Sequence, residues 1–190
     1  MKVGLGTILR LVVVVGIVAG LLWERHATEG AIAAISVVVN GTSRPPPPAD
    51  TSAQRLLPQV AGPLGQGGYT FAETQGAAGG PVTYDPCRPI HVVISLEDAP
   101  SNAVAVVQSA LATVRADTGL AFTVEGTTSE VAQPKRPFVD RARYGDRWSP
   151  VLVAFTTPQR VSALDGNIAG VGGSARFSNG GPEAYVTGIV

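Results

Sequence analysis

The stretch Pro86–Thr128, PCRPIHVVISLEDAPSNAVAVVQSALATVRADTGLAFTVEGTT, reads as strand, helix, strand. Ile90, Val92, Ile94 and Leu96 alternate with His91, Val93, Ser95 and Glu97, the pattern of a strand with one apolar face. Pro100 and Ser101 open a helix, with Ser101 as its candidate N-cap. Val104, Val107, Leu111 and Val114 recur at helical spacing and give that helix an apolar stripe. Gly119 stands where a left-handed residue ends a helix. Leu120, Phe122 and Val124 begin the second strand. Two strands joined by a single helix run parallel, with a right-handed crossover. The fold class is therefore α/β.

Downstream, residues 127–149 form a long charged segment with Lys135, Arg136, Asp140, Arg141, Arg143, Asp146 and Arg147, read as a solvated surface loop. Trp148 is expected to pack under the sheet edge. Pro150–Phe155 is a continuous apolar run, as in a strand covered on both faces. Ile168, Ala169, Gly170, Val171, Gly172 and Gly173 lead through a glycine-rich passage into a strand ending near Phe177. Residues 184–190 alternate and form a further strand, on which the sequence stops without a cap or polar tail. That ending reads as a truncation.

Upstream, residues 3–23 are apolar except for Thr7 and Arg10. A helix over this run reaches about 31 Å, enough for a bilayer core. Counted only from Leu11 it is closer to a signal-peptide core, and Ala31-Ile32-Ala33 offers a cleavage site. Residues 1–26 are thus an N-terminal transmembrane anchor, or alternatively a cleaved signal. Either places the remainder outside the cytoplasm. Residues 27–68, with Pro45-Pro46-Pro47-Pro48, read as a Pro/Gly-rich extracytoplasmic linker. Residues 69–190 form the globular domain. The 14 basic and 14 acidic residues cancel and show no basic block, which argues against nucleic acid as a partner.

Chemistry-bearing residues are sparse. The chain has two histidines, His26 and His91, and one cysteine, Cys87; it contains no H-E-x-x-H and no C-x-x-C. Three protein ligands for a catalytic zinc do not assemble from this inventory. His91 alternates with the apolar face of its strand and reads as a surface or packing residue. Residues 170–173 have the glycine content of a phosphate loop but lack the Lys-Ser/Thr that follows one. A bulge or a tight backbone approach in a sheet is the better reading. An odd cysteine outside the cytoplasm makes Cys87 a candidate for a disulfide.

Six motifs carry a resemblance: TYDPCRPI (83–90), ATVRADTGLAF (112–122), EGTTSE (125–130), RYGDRWSPVLVAF (143–155), AGVGGS (169–174) and YVTGIV (185–190). Together with the element order, residues 69–190 resemble the upper N-terminal subdomain of matrixin-like metallopeptidases of the metzincin clan, membrane-anchored bacterial type. The resemblance implies a mixed, mostly parallel twisted sheet with a crossover helix, truncated before the catalytic helix. It implies the front, non-catalytic part of a membrane-tethered, zinc-dependent metalloendopeptidase acting on peptide or protein substrates at the cell membrane. In that family an H-E-x-x-H helix supplies zinc ligands and the general base. Those residues are absent here, so no catalytic or metal-binding residue carries over, and this chain is expected to be inactive and zinc-free. What carries over is the substrate edge: an antiparallel strand, here Ile168–Phe177, that pairs with extended peptide. Cys87 beside Arg88 and Pro89 lacks the position and following residues of the family's propeptide switch. The competing reading is a non-enzymatic cell-surface binding or structural module that keeps the fold.

Overall fold

The computed structural model describes residues 50–62, 70–76, 79–133, 135–178 and 181–190. All lie within the unit Ile35–Val190. The expected anchor at 3–23 and the proline run at 45–48 lie outside the described residues. Among the described residues no helix is long and apolar enough to cross a membrane.

The elements are β1 (Thr83–Tyr84), β2 (Ile90–Ser95), α1 (Ala103–Thr118), β3 (Phe122–Thr128), α2 (Arg141–Tyr144), β4 (Val151–Ala154), β5 (Gly173–Phe177) and β6 (Ala184–Ile189). The sheet runs β1-β6-β4-β2-β3, with β5 also paired to β6. β2–β3, β2–β4, β4–β6 and β1–β6 are parallel, whereas β5–β6 is antiparallel. The mixed, mostly parallel α/β sheet expected from the sequence is therefore the architecture.

β2 lies between β3 and β4, and this central place overrides its alternation. Val92 and Ile94 are buried, but so are Val93 and Ser95 on the other face. The expectation of a single apolar face fails because alternation is a local pattern, whereas coverage is decided by what packs on the sheet. Leu96 lies beyond the strand and is exposed.

α1 starts one residue later than expected. Asn102, not Ser101, is its N-cap, and no side chain caps the helix. At the other end Gly119 adopts φ 67° and donates its N–H to Arg115 O, as its position predicts. Only Ala103 and Val107 of the helix are buried, and Val114 of the expected stripe is exposed. The helix is thus buried through its first two turns alone.

Residues 50–62 do not behave as linker. Ser52 N–H donates to Cys87 O at 2.7 Å and Leu56 N–H to Pro86 O at 3.0 Å. A Cβ on Gly119 would fall 2.4 Å from Pro58 O, so the segment lies directly against the end of α1. The expected boundary at 68 followed proline and glycine content, which reports chain stiffness rather than contact. This strap closes on Asp50, whose Oδ2 lies 2.5 Å from His91 Nε2. Burial raises the Asp50 pKa, but the His91 hydrogen bond and charge outweigh it and hold the carboxyl below its ordinary value. Docking therefore gains from ionised Asp50 above its unfolded pKa of about 3.9, and loses that gain as pH falls through the lower docked value. Amide exchange at Ser52 and Leu56, corrected for intrinsic chemistry, is expected to accelerate below about pH 4. Asp50→Asn should remove that dependence; an unchanged profile in the variant would refute the clamp.

The loop after β3 is also not simply solvated. Glu130 and Arg136 are buried within it. Asp140 caps α2 by accepting from Arg143 N–H at 3.1 Å. Trp148 does pack at the sheet edge: its ring lies 4.9 Å from Phe177 of β5 and meets Phe138 edge-on at 6.4 Å.

Candidate functional site

β5 is the antiparallel edge of the sheet. Its register pairs Gly173 with Ile189, Ser174 with Gly188, Ala175 with Thr187, Arg176 with Tyr185 and Phe177 with Ala184. A register shift falls between Ala175 and Arg176. On its other side β5 pairs with no strand among the described residues. A row of backbone donors and acceptors is left there for an extended chain to join.

The expected edge, Ile168–Phe177, is longer than the strand. Gly173 opens β5, while Ile168, Ala169, Gly170, Val171 and Gly172 approach it as irregular chain. Three of these five, Ala169, Gly170 and Gly172, are alanine or glycine, which supply little β-propensity and little side chain to pack. The irregularity expected in the glycine run is displaced, with the register shift two residues past Gly173. The close backbone approach is real and involves Gly173: its carbonyl oxygen would lie 2.7 Å from a Cβ on Gly188.

Three groups hold β5 and its partner β6 in place. Ser174 Oγ and Tyr84 Oη are 2.9 Å apart, and Tyr84 Oη also donates to Thr187 O at 3.3 Å. Burial raises the Tyr84 pKa, so the phenol stays a donor. Trp148 backs Phe177. Behind β6, Arg136 Nη1 donates to Thr187 Oγ1 at 2.9 Å and to Gly188 O at 3.3 Å. The same guanidinium grips Glu130 in a bidentate pair, Nε to Oε1 at 2.6 Å and Nη2 to Oε2 at 2.9 Å. Tyr144 Oη completes the network by donating to Glu130 Oε2 at 2.6 Å. Sequence reasoning missed Glu130, Arg136 and Tyr144 as a unit. Nothing in their spacing separates them from the other charges of the loop.

Beyond the Arg176 end of β5 lies an open groove of about 610 Å3, lined by Thr74, Gln75, Gly76, Arg176, Pro182 and Glu183 among others. Arg176 Nη1 meets Glu73 Oε2 at 2.6 Å and Glu183 Oε2 at 3.2 Å. Gln75 clamps the backbone of Glu183, donating from Nε2 to its carbonyl at 2.8 Å and accepting from its N–H at 2.9 Å.

His91 stands apart from this edge. Besides Asp50, its Nδ1 lies 2.6 Å from Glu125 Oε1, in ion-pair range but off the hydrogen-bond axis. Glu125 is taken by Arg147 in a bidentate pair at 2.5 and 2.6 Å, which lowers the Glu125 pKa. The described residues do not fit a zinc ion. Among them no group of three or more His, Cys, Asp or Glu side chains is placed to hold a metal, and the carboxylates nearest His91 already bind its ring and Arg147. No hydrolytic step is derived from this chain.

Cys87 is a free thiol, partly exposed, with its N–H held by Asp85 Oδ1 at 2.8 Å. As the single cysteine of the sequence it has no disulfide partner within the chain. The arrangement as a whole offers a backbone edge for extended peptide and a charged groove beside it. Comparison with family models, with curated proteins and with solved structures returns no match to this chain.

Proposed function

We propose that this chain is the front, substrate-binding part of an exported, membrane-tethered zinc-dependent metalloendopeptidase, and that an extended peptide or protein substrate pairs with β5. The observation that carries the proposal is the single antiparallel strand on an otherwise parallel sheet, unpaired along its outer side among the described residues. It has the orientation that the motif resemblance implies for a substrate edge. Trp148 and Tyr84 hold β5 itself and the Arg136 network holds its partner β6, so less ordering is left for an arriving peptide to supply. Zinc and the hydrolytic machinery belong to residues that this chain does not supply; its own part is to hold the substrate main chain.

Peptide pairing on a sheet edge depends on alternate backbone N–H groups. Two labelled peptides, N-methylated on opposite alternations, separate it from side-chain adhesion. The full chain in uncharged detergent is expected to bind the unmethylated peptide and one of the two methylated forms, with the other weaker by about tenfold or more, as for two lost main-chain hydrogen bonds. Equal binding of both methylated peptides, or none of the parent, would defeat the reading.

A further inference from the structure

We infer that the groove beside Arg176 receives a basic side chain of the peptide paired with β5, so that the chain selects substrates carrying Lys or Arg at one fixed position. This rests on the reading of β5 as the binding edge and adds the substrate class to it.

Three observations carry the inference. First, continuity: Arg176 belongs both to β5 and to the groove wall, so a peptide on the edge passes the groove mouth. Side chains directly opposite across a strand pair sit about 4.5–5.5 Å apart at Cβ, within reach of this wall. Second, size: at about 610 Å3 the groove is in the range of small-ligand clefts and admits a long side chain. Third, charge: two carboxylates, Glu73 and Glu183, converge on one guanidinium. Both contacts use the same nitrogen, Nη1 of Arg176. The site keeps one negative charge in excess, and its unshared carboxylate oxygens are acceptors for an ammonium or guanidinium.

Glu183 is also held ready. Its backbone N–H and carbonyl are both bound by the Gln75 amide, across 108 residues of sequence. A carboxylate on a clamped backbone loses little freedom when a cation arrives, so more of the attraction appears as affinity. An acidic peptide residue meets the opposite situation, facing two carboxylates that already occupy Arg176. The groups are part-exposed, which limits the preference to a few-fold and makes it sensitive to salt.

The experiment uses the full chain in uncharged detergent and labelled extended peptides in which one position at a time is Lys, norleucine or Glu. Binding is read by fluorescence anisotropy at low and high salt. Lys is expected to bind roughly 3–5-fold tighter than norleucine at one position of the scan, and Glu weaker than norleucine at that same position. Glu183→Gln should flatten the series. Arg176→Gln, which releases both carboxylates, should steepen it, and a thermal melt confirms that each variant is folded. Equal binding of Lys and Glu at every position, or a preference that survives Glu183→Gln, overturns the inference while norleucine peptides still report on β5. Failure of the norleucine peptides to bind at all overturns the edge reading, and this inference with it.

Discussion

Glu130→Ala is expected to lower the stability of the folded unit by about 3–5 kcal/mol, the usual cost of stranding one partner of a buried ion pair. The Arg136 side chain is 1% exposed and that of Glu130 6%, so water screens neither. With the carboxylate gone, the guanidinium keeps Thr187 Oγ1 and Gly188 O as its acceptors among the described residues, and the Tyr144 hydroxyl is left with the longer 3.4 Å contact to Thr128 Oγ1. The loss is a large part of the ~5–15 kcal/mol available to a small domain. In a thermal melt it should appear as a fall of roughly 10–20 °C. The cause is the unpaired charge and not the missing contact, which gives a second arm. Glu130→Leu combined with Arg136→Met removes both charges and should recover most of the loss. A double variant no more stable than Glu130→Ala would show that geometry, not the stranded charge, sets the cost. A fall below about 1 kcal/mol in the single variant would return the loop to the solvated class expected from its composition.

That network also marks how far the sequence could be read. The β2–α1–β3 unit was legible because each part has a local signature: alternation, helical spacing, and Gly119 at the one position where a left-handed residue ends the helix. β4 was legible from its continuous apolar run, and β6 from alternation after the turn at 179–182. Burial of Glu130 and Arg136 was not, since a six-residue separation inside a charged loop has no period and the acceptor of Arg136 on β6, Thr187, is 51 residues away. The docking of 50–62 was hidden for a related reason. Its bonds to Pro86 and Cys87 are made by backbone groups, which leave no trace in composition. At the candidate site the antiparallel edge was expected in the right region, but its start was set too early, at Ile168 rather than Gly173. The groove depends on Glu73, Gln75, Arg176 and Glu183, brought together from two distant segments, and no motif links them.

Gly188→Ala tests the edge from its supporting side. Gly188 sits in β6 opposite Ser174. A Cβ there would lie 2.7 Å from Gly173 O, 3.1 Å from Tyr84 Oη and 3.4 Å from Ser174 Cα. The first is a backbone atom of β5, and the second is fixed by its bonds to Ser174 and Thr187. Neither gives way without opening the β5–β6 ladder. Among the described residues β5 is held by one neighbouring strand, whereas β6 is also held by β1 and β4, so β5 is the strand that moves. Overpacking of this kind costs about 1–3 kcal/mol. The loss should be local: amides of Ser174–Phe177 lose exchange protection while those of β2 keep theirs. Peptide affinity is expected to fall by about tenfold, because the row of donors and acceptors no longer has a fixed spacing. Gly172→Ala is the control, since its Cβ would meet Ile189 O at an ordinary 3.5 Å and should change neither measurement. Full protection of β5 in Gly188→Ala would show that the ladder absorbs the methyl. Loss of peptide binding with β5 still protected would move the binding site away from this edge.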